Sequence, residues 1–200
     1  MKATMKTIFG NAAPLPGNDE KVHPMDLVAQ LGRTRRFNGS ANPEWTVLHH
    51  TVLVSWLWLK VYGPEGLEHI FLHDAHEYVT GDIPSPVKMA IGREHIEKVQ
   101  DDLDRRIYET LDLHKPDDVD RGCVKNVDWA ALFIEAHYIG LPGHVKHIIE
   151  TSIGHLDRQA RGVIAWVIGE TVPEVLVAME AAGYWTAPGP DAKPDSVGQP

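Results

Sequence analysis

Phe71-Leu72-His73-Asp74-Ala75-His76-Glu77-Tyr78-Val79-Thr80-Gly81-Asp82-Ile83-Pro84-Ser85-Pro86-Val87-Lys88 is the stretch that decides how the chain is read. It begins with helical residues, reaches a glycine suited to a helix stop, and leaves through two prolines that disfavour helix in the residue before each. Between His73 and Asp82 it packs two histidines and three acids. Neighbouring residues on a helix diverge by about 100°. His73 and Asp74 can therefore share one cation only if it lies between their directions and other helices supply further ligands. On the same geometry Glu77 falls on the face between them, placed for proton transfer or support rather than ligation.

The partners must come from either side of this stretch. Residues 46–62 form the most apolar helix, with Val47, His50, Val54, Leu57 and Val61 on one stripe. His49 shares the other apolar side with Leu53 and Trp56, so periodicity leaves His49 and His50 both open as the histidine that faces a site. Downstream, residues 119–139 read as a helix in which Asp128 lies among Val124, Val127, Ala131 and Leu132. A carboxylate in an apolar stripe needs a partner, and metal ligation provides one. Glu135, seven residues on and about 20° away around the helix, is read as an ordinary supporting or surface acid. Histidine with carboxylate ligands suits one divalent transition metal (Co, Mn, Zn, Fe or Ni), with Mg possible but less natural.

The remaining segments complete an all-α chain of seven or eight helices. Pro24 opens a short helix that Gly32 ends. Arg33-Thr34-Arg35-Arg36-Phe37-Asn38-Gly39-Ser40 is a basic loop with turn chemistry at Asn38-Gly39. Residues 67–80 form one helix carrying the opening stretch. Residues 94–111 are amphipathic, and three shorter helices are expected: over 144–153, over 157–168, and from the capping box Thr171-Val172-Pro173-Glu174 through Ala182. Residues 1–22 read as an irregular lead-in, 23–185 as one domain, and 186–200 as a disordered Pro/Gly/Asp-rich tail.

Bulk composition narrows the function classes. The 200 residues include 43% hydrophobic residues, enough for a single domain with a real core. The net charge of −9 speaks against a nucleic-acid polymer as partner. No apolar run approaches the ~20 residues of a membrane span. One cysteine, Cys123, and no signal-peptide pattern lead to the expectation of a reducing, cytoplasmic setting. Twelve histidines is the unusual count. His76, His95 and His114 are read as solvated, His144 and His147 as a surface pair, and the tryptophans at 56, 58, 129, 166 and 185 as packing.

Taken together, an upstream histidine, the run His-Asp-x-x-Glu-x-x-x-Gly-Asp-Ile-Pro-x-Pro-x-Lys over His73–Lys88, and Val124-Lys125-x-x-Asp128 resemble the HD-domain phosphohydrolases. Among them the closest resemblance is to bacterial 5′-deoxynucleotidases and phage-type deoxynucleoside triphosphate triphosphohydrolases. It spans about Val22 to Glu135. The resemblance implies a single helical HD domain whose metal is held by His50, His73, Asp74 and Asp128. It implies that Glu77 and Asp74 take part in catalysis, and that Asp82 contacts the sugar hydroxyl. It also implies that Arg36 with Phe37 forms a basic–aromatic pair before the first ligand, the arginine on phosphate. Phenylalanine stands at 37 where the deoxynucleotidases carry tryptophan. Lys88 closes the motif and, with Arg33 and Arg35, can add point charge at the phosphate. The implied reaction is hydrolysis of deoxynucleotides at the 5′-phosphorus by a homo-oligomer. The products are deoxynucleoside plus phosphate from a dNMP, or plus triphosphate from a dNTP such as dATP. Three arginines within Arg33–Arg36 lean towards a longer phosphate chain. The rival is a non-catalytic nucleotide-binding regulatory module of the same fold. Alarmone hydrolases carry Glu-Asp where this chain has Glu77-Tyr78, and cyclic-dinucleotide phosphodiesterases carry Gly-Tyr-Pro where it has Gly183-Tyr184-Trp185.

Overall fold

In the computed structural model, residues 5–40 and 44–138 are described. They form seven α-helices: α1 Pro24–Leu31, α2 Val47–Val61, α3 Leu67–Phe71, α4 Glu77–Thr80, α5 Ser85–Ile91, α6 Arg93–Thr110 and α7 Asp118–Tyr138. Among these residues the only extended pairings are two isolated bridges, Lys6 with Ala12 and Arg35 with Thr46. The architecture is all-α. The helices expected beyond residue 139 and the tail lie outside the described residues.

Helix α2 is the hub. Its apolar circumference lets it pack on one side against α3 and α7, through Leu53, Val54, Leu57, Trp58, Ile70, Val127, Ala131 and Ile134. On the other side Val47 joins a second cluster with Leu27 and Leu31 of α1, Leu72, Ala75, Tyr78, and Ile107 and Tyr108 of α6. Thr46 starts α2 as a capping box: its hydroxyl accepts from the His49 N–H, and His49 Nδ1 accepts from the Thr46 N–H at 3.0 Å. The lead-in is tied down as well. Thr7 Oγ1 and Asn11 Nδ2 donate to Asp26 Oδ2, at 2.7 and 2.8 Å, and Asp26 is fully buried.

Two expectations are corrected. Residues 67–80 are not one helix. Between α3 and α4 the backbone winds tighter, with i→i+3 bonds from Ala75 N to Leu72 O (3.0 Å) and from Glu77 N to Asp74 O (3.0 Å). Tyr78 N likewise donates to Ala75 O at 3.2 Å. At about three residues per turn, side chains three apart eclipse. Leu72, Ala75 and Tyr78 therefore share the buried side, and Asp74 stacks over Glu77. Glu77 has a carboxylate oxygen within 4.8 Å of ligand atoms of Asp74 and His76. Second, the proline-rich exit does not simply leave as a turn. It starts α5, with Pro84 as N-cap and Pro86 in the first turn, where the missing N–H would be unpaired anyway. Gly81 does end α4, at φ +71°, a backbone region that favours glycine.

Candidate metal centre

Three helical elements and one loop deliver six groups to a common point. α2 brings His50, fully buried, and the tight turn after α3 brings His73 and Asp74. α7 brings Asp128 and, two turns on, Glu135, and the basic loop brings Arg36. His50 Nε2 and His73 Nε2 lie 3.2 Å apart. Asp128 Oδ1 is 3.1 Å from the first and 3.8 Å from the second. Asp74 Oδ2 is 3.7 and 3.3 Å from them. The choice that periodicity left open between two histidines has a structural answer. His49 Nδ1 is used by the Thr46 cap and its ring stacks on Trp45, 5.2 Å between centroids, while His50 faces inward.

The outer nitrogens decide what the inner ones can do. His50 Nδ1 meets Glu135 Oε1 at 2.9 Å, and His73 Nδ1 meets the Ile70 carbonyl at 2.6 Å. Both partners are acceptors, so both Nδ1 atoms carry the proton, and Nε2 is left to present a lone pair. Two imidazole lone pairs and two carboxylate oxygens then converge. Asp128 Oδ1 is buried there with no hydrogen-bond partner. Ligands at about 2.0–2.2 Å from one ion sit roughly 3–3.5 Å from their neighbours, which is close to the spacing seen. The residues fit a divalent metal.

Without a cation, charge is balanced by protons. Burial lowers the proton affinity of His73, but Asp74 and Asp128 outweigh it and raise its pKa well above the usual imidazole value. His50 is raised for the same kind of reason, burial being overcome by Glu135 and Asp128. Burial would raise the carboxyl of Asp74, yet His73, Arg36 and His50 hold it well below its ordinary range. Arg36 is itself buried and reaches three carboxylates: Nη1 to Asp74 at 3.2 Å, Nε to Glu135 at 3.3 Å, and Nη2 to Asp128 at 3.8 Å.

Glu77 behaves differently. It is buried, its Oε2 has no partner, and burial together with Asp74 and Asp82 pushes its pKa well up. Burial and its anionic neighbours thus favour its protonated form. Asp82 Oδ2 accepts the Phe37 N–H at 2.6 Å. That bond braces a left-handed turn, with Phe37 at φ +55°, Asn38 at +53° and Gly39 at +75°. The Arg36 guanidinium lies 5.2 Å from the centroid of the Phe37 ring. Lys88 Nζ donates to Gln100 Oε1 at 3.3 Å, and its charge acts on Glu77, partly opposing the rise in that carboxyl's pKa.

Three residues gain detail from the structure. Of the two roles read for Glu135, supporting or surface acid, it takes the first: it is fully buried and accepts from His50, Trp45 Nε1 (2.8 Å) and Arg36. Its position seven residues after Asp128 was the available signal. Trp45, also fully buried, had none. His76 is not solvated. It is 8% exposed and its Nδ1 lies 3.0 Å from Asp104 Oδ1.

A cleft of about 410 Å³ opens beside this centre between α6 and α7, with His73 and Asp128 in its wall. No helix among the described residues is long and apolar enough to cross a membrane.

No protein-family model matches the chain. A segment is 33% identical over 93 residues to an uncharacterized protein of Rhodobacter capsulatus; the match covers 44% of this chain and 45% of that protein, less than half its length. Among solved structures, the fold is similar to the cyanophage S-2L HD phosphohydrolase DatZ, bound to dA and one catalytic Zn2+ ion. The TM-score is 0.57 at 18% identity, covering 77% of this chain and 99% of that one. The likeness establishes the HD-type helical fold.

Proposed function

We propose that this protein is a metal-dependent phosphohydrolase that cleaves deoxynucleotides at the 5′-phosphorus, releasing the deoxynucleoside with phosphate or triphosphate. The observation that carries the reading is the convergence of His50 Nε2, His73 Nε2, Asp74 Oδ2 and Asp128 Oδ1, with both Nδ1 atoms committed to acceptors. These four residues would hold one divalent ion, zinc being the metal named for the phage protein of similar fold. Bound there, such an ion supplies Lewis acidity to the phosphoryl group and makes water a usable nucleophile near neutral pH.

The chain's own residues would do the rest. Displacement at phosphorus needs mainly positioning and charge neutralisation. Arg36, next to Asp74 and Asp128, is placed to share its guanidinium with a phosphoryl oxygen. Glu77, with its pKa raised, keeps a proton that it can give to the departing 5′-oxygen as the P–O5′ bond breaks. The Phe37 ring and the second oxygen of Asp82 would meet base and sugar, and Lys88 would act at longer range on the phosphate.

The test is metal analysis followed by a substrate panel of dNMPs and dNTPs with Zn, Mn, Co and Mg. One metal per chain and release of deoxynucleoside are expected, with both lost in Asp74→Ala. An Asp74→Ala variant that keeps its metal and its rate refutes the mechanism. Tight nucleotide binding with full metal and no turnover would instead favour a regulatory module.

A further inference from the structure

We infer that Asp74, His76 and Glu77 form a second divalent-cation site that shares Asp74 with the first. A ligand atom of each of these three residues lies within 4.8 Å of those of the other two. Asp74 belongs equally to the group it forms with His50 and His73. The tight turn gathers the new set. Glu77 N bonds to Asp74 O at 3.0 Å, three residues back, so position 77 returns over position 74. Asp104 of α6 then holds His76 from behind.

Two observations point to a ligand rather than to a chance cluster of acids. The first is His76, which is more than nine-tenths buried. Its Nδ1 lies 3.0 and 3.2 Å from the two oxygens of Asp104. A carboxylate accepts, so Nδ1 carries the proton and Nε2 the lone pair. Nε2 is buried with no hydrogen-bond partner. The arrangement repeats that of His50 on Glu135, with a carboxylate behind the ring and a lone pair in front. The second is Glu77, also more than nine-tenths buried, whose Oε2 has no partner either. A purely structural role for these side chains leaves both buried atoms unsatisfied, which is costly. One cation satisfies both. Ligands facing each other across an ion stand about 4–4.4 Å apart, so small side-chain rotations bring the three to ligating distance. One imidazole and two carboxylates leave positions open, as in catalytic rather than structural sites. They suit Mn, Co, Zn or Fe better than Mg. Two ions on one carboxylate match the pairs that stabilise both the attacking and the leaving oxygen at phosphorus. In the doubly loaded protein Glu77 is a ligand, so its role as proton donor belongs to the singly loaded form. The metal count stands without the hydrolase reading; the use of the pair on a nucleotide rests on it.

Manganese is the probe. Full-length wild type, His76→Ala and Asp104→Ala are dialysed against rising Mn2+. Metal per chain is measured by mass spectrometry, and EPR spectra are taken of the same samples. The wild type should take up two ions per chain. The second should bind at least tenfold more weakly, because it has three protein ligands, one of them shared, against four. At full loading the six-line signal of an isolated ion should give way to that of an exchange-coupled pair. His76→Ala should stop at one ion with the isolated signal, and that remaining ion shows that the variant is folded. Asp104→Ala changes a partly exposed residue behind the ring. It should weaken the second ion by about 10- to 100-fold and leave the first within twofold. Should His76→Ala fail to fold, Asp104→Ala decides. Wild type that saturates at one ion in millimolar Mn2+, or a second ion that both variants hold as tightly as wild type, overturns the site. The two readings fail separately. One ion with deoxynucleotide turnover removes the second site and keeps the hydrolase. A second ion that depends on His76, with no turnover, does the reverse.

Discussion

Replacing Glu135 with glutamine probes how the proposed metal centre is held. Glu135 Oε1 accepts from His50 Nδ1 at 2.9 Å, Trp45 Nε1 at 2.8 Å and Arg36 Nε at 3.3 Å, and the residue is fully buried. Glutamine keeps the shape and one acceptor oxygen but removes the charge. His50 then loses the anion that makes its Nε2 a better donor to metal, and Arg36 loses one of its three carboxylates. Partners of this kind are worth about 10- to 100-fold in metal affinity, or roughly 1.4–2.8 kcal/mol. The new amide adds a second cost. Oε2 has no hydrogen-bond partner, so an NH2 group there is buried without an acceptor, at about 1–3 kcal/mol of folding stability. Zinc competition against a chromophoric chelator measures the first effect and urea unfolding of the metal-free protein the second. A Glu135→Gln variant that binds zinc within twofold of wild type shows that Glu135 does not orient His50.

Metal affinity should fall with falling pH, because the metal-free imidazoles of His50 and His73 have raised pKa values and hold protons that the ion must displace. Calorimetry in two buffers of different ionisation enthalpy should show net proton release at pH 7, and none would contradict the picture. Asp82→Ala should raise KM more than Asp82→Asn, since asparagine can still accept the Phe37 N–H that braces the left-handed turn. Equal KM values for the two variants would assign Asp82 no bracing role. Asp26→Ala should cost about 2 kcal/mol, as it leaves Thr7 and Asn11 without their charged acceptor. Burial pushes the Asp26 carboxyl up, but those hydrogen bonds more than offset it and its pKa is lowered. Its contribution is therefore present above the unfolded carboxyl pKa of ~3.9 and lost as pH falls through the folded value. Wild type and variant unfolding midpoints should converge at low pH; a constant difference argues against it.

What could be seen in sequence follows the physics of each element. α1, α2, α6 and α7 bury a face over many residues, and their 3.6-residue period is visible. α5 was hidden by its own start: Pro84 and Pro86 forbid continuation of the preceding helix and equally suit the first turn of the next. The tightened turn at 72–76 was hidden because no residue preference separates i→i+3 from i→i+4 bonding. Only the three-residue spacing of Leu72, Ala75 and Tyr78 could have pointed to it. His76 was misread because its partner, Asp104, is 28 residues away on α6. Trp45 and Glu135 are 90 residues apart in sequence, and only the packing of α2 on α7 brings them together.

Charge explains why these residues tolerate one another. Around the two imidazoles stand Asp74, Asp128 and Glu135, all with lowered carboxyl pKa values, against the single guanidinium of Arg36. Three anions and one cation leave two negative charges in a buried space, a costly excess. Burial with Asp74 and Asp82 nearby raises the Glu77 pKa, which works against its adding a third. In the metal-free protein the raised proton affinity of His50 and His73 works against that excess. One divalent ion, held as proposed, would cancel it while taking up the four converging lone pairs. The same count explains Arg36: a neutral residue there would leave a net charge that neither two protons nor one dication could neutralise. On the proposed reading, the guanidinium would thus set the charge of the ion that suits the site.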